Sequence, residues 1–437
     1  MSRLRILAGA LALALLLPLS AFAVDTGSAD FTRYVAVGDS ITAGFMSAGL
    51  FQEAQRNSYP ALLERQATGS NAGFQQPLVS SPGIPAALEL KSLSPLVIGP
   101  KAGLGTPLNL FLPTLYNNLG VPGARVHDTV ATVTDNGGLH DLILRGHGTA
   151  LQEAAAQHPT FATVWIGNND VLAAATNGRV IEGVTLTPVA NFEADYRTIA
   201  NTLAASGAKL AFATIPDVTA IPFVTTISSF ITLPSGQKVP LIGPNGLLTA
   251  NDHVLLTAQA ELAVGKGIPT ALGGTGQPLS DASVLDAGEI ATITARVAAY
   301  NNIIRTVASE KNAALVDVNA QFNSVAQHGL PVGGLTYTSS FLTGGLFSYD
   351  GVHPTAFGYA YLANLFIQAI NAQYGGHIPL VNLYPFVFGT ASANKSASFM
   401  APANSALLTP DAIRNLLWAL NANIPADTGK KPGHHRH

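Results

Sequence analysis

Four short apolar runs recur along this chain at long intervals: YVAVG at 34–38, TVWIG at 163–167, KLAFATIP at 209–216 and ALVDVN at 314–319. Each is rich in β-formers and ends in a small or polar residue. Runs with no polar alternation belong to strands covered on both faces, the condition of a parallel sheet. Between them lie windows with helical spacing. SYPALLERQA (58–67) carries Pro60 at the expected first helical position, NFEADYRTIANTLA (191–204) places apolar residues three and four apart, and Asp286 is expected to cap a long helix through AGEIATITARVAAYNNIIRTVASEK. A last helix is expected over about 354–374, in PTAFGYAYLANLFIQAINAQY. Strand and helix in alternation predict an α/β chain with a doubly wound sheet.

Two stretches interrupt the alternation. Residues 69–113 are rich in Gly, Pro and Ser, and residues 220–285 hold a hairpin-like FITLPSGQKVPLIG, a short helix near 254–265 and the cluster GGTGQ. Segments of this length between core elements are functional loops, lids or flexible insertions. At the N-terminus, Arg3 and Arg5 precede an apolar run ending in Ala21-Phe22-Ala23, the anatomy of a cleaved secretory signal over 1–23 with a mature start near Val24. No later window is long and apolar enough to span a bilayer, so an exported protein without a stable membrane anchor is expected, periplasmic or extracellular. With no cysteine, disulfides, thiol catalysis and Cys-ligated metals are excluded. Charged residues are only 11% of the chain and the formal net charge is −3, so there is no basic field to attract nucleic acid. Residues 376–437 form a C-terminal extension whose end, ADTGKKPGHHRH from Ala426, is expected to be a solvated, disordered tail.

Chemistry concentrates in four short segments. Ser40, in VAVGDSITAG, stands where a strand gives way to a helix, the edge of an open parallel sheet at which ligands bind. It is there either as a helix cap or as a nucleophile whose backbone N–H faces a developing oxyanion. Asp350-Gly351-Val352-His353-Pro354 sets a carboxylate and an imidazole on one tight loop before the last helix. An imidazole oriented by a carboxylate can activate a hydroxyl, whereas the plainer reading makes Asp350 a cap and His353 a loop histidine. Gly167-Asn168-Asn169-Asp170 follows the strand TVWI; Asn169 can offer an amide N–H to a tetrahedral intermediate, Asp170 can brace the loop, or the whole can be an Asx turn. In Asn118-Leu119-Gly120-Val121-Pro122-Gly123 a glycine lets backbone approach a ligand, or Pro-Gly is simply a turn. His127, just beyond, belongs to the cleft or to the surface.

In chain order, from Ser40 through Asn118–Gly123 and Gly167–Asp170 to Asp350–His353, the four segments resemble the blocks of the GDSL-type serine hydrolases of the SGNH superfamily. Gly38-Asp39-Ser40-Ile41 is similar to the first block with Ile for the usual Leu, NLGVPG to the glycine block, Gly167 to Asp170 to the G-x-N-D block, and Asp350 to His353 to D-x-x-H. The resemblance implies a three-layer α/β/α sandwich on a parallel sheet of about five strands, formed by residues 24–375 with the two insertions. It implies Ser40 as nucleophile, His353 as base and Asp350 as its orienter, an oxyanion hole of Ser40, Gly123 and Asn169, supporting roles for Asp39 and Asp170, and no cofactor or metal. The G-x-S-x-G, H-E-x-x-H and G-x-x-x-x-G-K-[ST] patterns of other hydrolases and nucleotide sites do not occur. For substrate, the apolar runs LVIGP, NLFLPTLY, IPFVTTISSFITL and VPLIG in and around the insertions are expected to wall a pocket for an acyl chain, as in an esterase or lipase acting on small-molecule or lipid esters. Two alternatives remain: a carbohydrate or cell-envelope O-acetylesterase, and a secreted binding protein that keeps the fold without turnover.

Overall fold

Successive side chains of a strand point to opposite faces, and in the run Tyr34–Gly38 both faces are apolar, so the strand can only sit between two cores. The computed structural model describes residues 24–388 and 407–421; the leader-like segment 1–23 and the tail from Ala426 lie outside the described residues. Five strands make the central sheet: β1 (Tyr34–Gly38), β2 (Asn118–Gly120), β3 (Phe161–Trp165), β4 (Lys209–Ala213) and β5 (Ala314–Val316). Their spatial order is β5-β4-β3-β1-β2, and every pairing is parallel. From β1 the chain winds outward first to one side and then to the other, so the order reverses between β1 and β3, where ligands bind in open α/β sheets.

The flanking helices, in chain order, are α1 (Ser40–Ala43), α2 (Tyr59–Thr68), α3 (Val126–Ala131), α4 (Ala150–Ala156), α5 (Asn169–Asn177), α6 (Val189–Ala205), α7 (Ala287–Glu310), α8 (Val318–His328), α9 (Ala356–Tyr374) and α10 (Pro410–Asn421). Val35, Val37, Val164 and Phe212 face Phe192, Ile199, Val297 and Ile304 of α6 and α7. On the other face Tyr34, Phe161, Trp165 and Val316 meet Leu62 of α2 and Phe366 and Ile370 of α9. The expected three-layer α/β/α sandwich is what forms.

Local chemistry explains most element ends. Asp286 caps α7 in a reciprocal box with Glu289, as its position before the long apolar window implies. In α2 the helix starts at Tyr59, so Pro60 is its second residue rather than its first. The run 314–319 divides at Asp317, whose side chain accepts the Ala320 N–H and opens α8 where a continued strand was expected. The three-residue edge strand β2 lies in a segment read only as a glycine block.

Both insertions carry small antiparallel hairpins. The one in 220–285 pairs Phe230–Thr232 with Lys238–Pro240, as expected, and is followed by a short helix at Gln259–Ala263. In 69–113, Leu88–Leu93 pairs with Leu96–Pro100. The C-terminal segment then returns to this second hairpin: Leu407 and Leu408 pair in parallel with Val97 and Ile98. Leu408 N–H also donates to Gln259 Oε1 at 2.9 Å, and Asn415 Nδ2 to the Ala86 carbonyl at 3.1 Å, so one segment ties the two insertions together.

Two predictions follow from buried polar groups. Asn118 Nδ2 donates to the Thr42 carbonyl (2.8 Å) and its Oδ1 accepts the Gly120 N–H (3.0 Å), joining α1 to β2 in a buried setting. Asn118→Ala strands both backbone groups and is expected to lower unfolding free energy by about 2–5 kcal/mol in denaturant titration. Glu153 is 1% exposed, and neither carboxylate oxygen has a hydrogen-bond partner among the described residues. Burial raises its pKa to about 8, Arg145 opposing only in part. The folded state therefore holds a proton that the unfolded chain releases near the ordinary glutamate value of about 4.3, so this stability is full in acid and is lost as pH rises through about 8. Thermal unfolding of Glu153→Gln should show a shallower fall in Tm across that range than the parent protein.

Candidate active site

The end of β1 fixes the first group of the site. At Gly38 a Cβ would lie 2.1 Å from Thr42 Oγ1 and 2.4 Å from the Trp165 carbonyl oxygen, so only glycine lets the chain turn this tightly from strand into α1. Asp39 then acts as the helix cap, its Oδ1 accepting the Ile41 N–H at 3.0 Å. Because Asp39 takes the capping role, the Ser40 hydroxyl is left for another partner, and His353 Nε2 stands 2.9 Å from its Oγ. Ser40 is also the first residue of α1, where backbone N–H groups have no intrahelical acceptor.

The second half comes from the loop before α9. Thr355, not Asp350, caps that helix, its side chain accepting the Gly358 N–H. The Asp350 carboxylate turns inward: Oδ1 accepts the N–H groups of Val352 (2.9 Å) and His353 (2.8 Å) and the Ser348 hydroxyl (3.1 Å). Its Oδ2 accepts the Ala48 N–H (2.7 Å) and lies 2.8 Å from His353 Nδ1. An ionised carboxylate only accepts, so Nδ1 carries the proton and Nε2 is free to accept from Ser40. Burial pushes the Asp350 carboxyl up, but the adjacent His353 and the converging N–H donors outweigh it and hold the pKa below the ordinary value. The imidazole packs against Phe45, with ring centroids 4.9 Å apart. A hydroxyl, an imidazole and a carboxylate in series, all buried, can pass the hydroxyl proton to the ring while the carboxylate balances the charge formed.

Beyond β3, the Asn-Asn-Asp run binds three loops to one another. Asn168 Nδ2 donates to Asp39 Oδ2 (2.8 Å), Asn169 Nδ2 to the Ala124 carbonyl (2.9 Å), and Asp170 Oδ2 accepts the Val126 N–H at the start of α3 (2.9 Å). Gly123, directly before Ala124, takes the left-handed φ of +83° that glycine alone adopts freely. Asp170 thus joins its own loop to the start of α3, and the segments carrying Gly123 and Asn169 are linked through Ala124. Both supporting carboxyls pay for burial: Asp170 is raised to about 7 and Asp39 to about 6, their hydrogen bonds opposing only in part. His127 lies at the surface, its Nδ1 3.0 Å from Asp195 Oδ2.

Three contributors escaped sequence reasoning. Asn168 stood in the quoted motif without a role, Ser348 had no spacing to mark it, and Ala48 contributes only a backbone N–H. The apolar cleft also differs from expectation. An apolar hollow runs between α8 and α9, lined by Ile41, Trp165, Ile221, Phe322, Val352 and Leu362 among others, with neither Ser40 nor His353 in its lining. Of the apolar runs expected to wall an acyl pocket, only Ile221 takes part, because LVIGP and VPLIG are used in the hairpins.

Solved structures that align with this chain include LAE5, an alpha/beta hydrolase enzyme from the metagenome of Lake Arreo, Spain (17% identity, 79% of this chain and 97% of that chain, TM-score 0.38). A mutant of Axe2, an acetyl-xylooligosaccharide esterase from Geobacillus, aligns at 16% identity over 79% of this chain and 96% of that chain, with a TM-score of 0.36. The lipase/acylhydrolase from Enterococcus faecalis aligns at 15% identity over 80% of this chain and all of its own, with a TM-score of 0.33. No curated protein matches the sequence. The model of the GDSL-like lipase/acylhydrolase family matches residues 34–366, a span that runs from the first strand of the sheet into α9, and the chain belongs to that family.

Proposed function

We propose that this protein is a serine esterase that cleaves carboxylic esters through an acyl-enzyme on Ser40. The observation that carries the reading is the unbroken chain from Ser40 Oγ to His353 Nε2 (2.9 Å) and from His353 Nδ1 to Asp350 Oδ2 (2.8 Å). Ser40 Oγ attacks the ester carbonyl carbon as its proton passes to His353. The tetrahedral oxyanion is met by the backbone N–H groups of Ser40 and Gly123 and by the Asn169 amide, whose second N–H remains for it after the bond to Ala124. Collapse breaks the bond to the alcohol oxygen, which leaves with the proton held by His353. Water, deprotonated by the same imidazole, then attacks the acyl-enzyme and releases the acid. Asp350 holds the ring in the tautomer both half-reactions need and offsets the imidazolium charge.

For the acyl group, the supporting observation is the apolar cleft. Its lining includes Ile41, the chain neighbour of the nucleophile, and Val352 and Pro354, the chain neighbours of the base, so it adjoins the segments that carry these groups, although neither Ser40 nor His353 lines it. Such a surface suits an aliphatic chain better than an acetylated sugar, which would need polar groups to receive its hydroxyls. The leader-like residues 1–23 support export of the chain.

Labelling with a fluorophosphonate followed by peptide mapping should find the adduct on Ser40, and Ser40→Ala should lose both label and turnover while keeping its Tm. Labelling elsewhere, or turnover by Ser40→Ala, overturns the mechanism. Across p-nitrophenyl esters from acetate upward, kcat/KM should rise by as much as about fourfold per methylene until the cleft is filled, the equivalent of about 0.8 kcal/mol per buried CH₂. A preference for acetate or for acetylated xylan would replace the lipid reading by the carbohydrate one. Asn169→Ala should reduce kcat by about 10²–10³ with a smaller change in KM.

A further inference from the structure

Residues Met46 to Gly49 make a two-residue reversal in which Met46 N–H donates to the Gly49 carbonyl (3.0 Å) and Gly49 N–H to the Met46 carbonyl (3.1 Å). Its central residues, Ser47 and Ala48, have φ of +54° and +56°. Two successive positive φ values define the turn type that normally takes Asn-Gly, and neither serine nor alanine favours it. Strain of this kind persists only where the surroundings over-determine it.

The surroundings here are the Asp350 carboxylate. The Ser47 N–H donates to Ser348 Oγ (2.8 Å), Ser348 Oγ donates to Asp350 Oδ1 (3.1 Å), and the Ala48 N–H reaches Asp350 Oδ2 directly (2.7 Å). On its far side the turn is gripped by the first insertion: Leu88 N–H, at the start of the hairpin, donates to the Ser47 carbonyl at 2.7 Å. Without Ser348 and Ala48, Asp350 would be held only by N–H groups of its own loop, Val352 and His353, and both of these bind Oδ1. The oxygen that meets the imidazole is thus fixed from outside the loop.

We infer that Ser348 and the strained Ser47–Ala48 turn are positioning residues for the base, and that the hairpin insertion Leu88–Pro100 is the buttress that keeps the turn in place. The inference rests on the esterase reading above. Ser348 touches no substrate. It holds one carboxylate oxygen so that the other stays aligned with His353 Nδ1, and a loss of that alignment weakens proton transfer without altering the cleft where the ester binds.

Steady-state kinetics on a p-nitrophenyl ester, with Tm measured in parallel, test this on the full-length protein. Ser348→Ala should lower kcat by about 10- to 100-fold, the scale of a small misplacement of a reacting group, with KM within about twofold and the rate of fluorophosphonate labelling falling alongside kcat. Ser348→Thr, which keeps the hydroxyl, should recover most of the loss. Unchanged kcat in Ser348→Ala overturns the inference, as does a loss of kcat that Ser348→Thr fails to recover. If Ser348→Ala does not fold, Ser348→Thr and Ser348→Cys give the comparison: kcat should follow hydrogen-bond donor strength, and equal values for Ser, Thr and Cys overturn the inference. A parent protein that neither turns over esters nor takes the label on Ser40 removes the esterase reading itself, which separates the two failures.

Discussion

The register that sets Gly38 level with Gly120 on one side and with Trp165 on the other is the constraint on which the site depends. Parallel strands end together only when their pairing aligns them, and here alignment delivers three loops to one edge of the sheet. Each loop brings one kind of group: a hydroxyl beyond β1, a left-handed glycine beyond β2, and a run of amides beyond β3. A slip of one residue in β1 would exchange its two cores and move Ser40 away from the opening between β1 and β3. The last loop, carrying Asp350 and His353, is then attached by hydrogen bonds to groups already in place.

Three aspartates lie buried around this edge, and their different environments sort them. Asp350 collects four donors besides the imidazole and is held in its charged form. Asp39 and Asp170 have fewer donors, and burial dominates, lifting both toward neutrality. The carboxylate proposed to face a transient imidazolium is thus the one whose charge the protein supports, while the other two serve as braces between loops. This division needs no difference among the carboxyl groups themselves, only the imidazole beside Asp350 and the number of donors that converge on each.

Much of the fold was legible because its elements are strongly marked. Strand β1 was read with its observed bounds from YVAVG, and α7 from the cap at Asp286, since local chemistry decides both. β2 and the break at Asp317 were not, because three residues of edge strand have no periodicity to detect and a polar residue after an apolar run is ambiguous until its neighbours are known. In the site, motif order pointed to Ser40, Asp350 and His353, and the structure brings these three into contact. The Ser47–Ala48 turn had no chance of being seen: its contribution is a pair of backbone N–H groups, identical in every residue but proline. Likewise the apolar runs of the insertions looked like a pocket wall because hydrophobicity alone does not say which face a hairpin will bury.

The pairing of Leu407–Leu408 with Val97–Ile98 bears on how such a chain matures. The hairpin that grips the Ser47–Ala48 turn has a free edge until a segment some three hundred residues further along arrives to cover it. Contacts so distant in sequence form late and slowly, and an unpaired edge is an invitation to wrong partners in the interval. Biosynthesis from the N-terminus therefore leaves the first insertion with an uncovered edge until residues some three hundred positions further along have emerged.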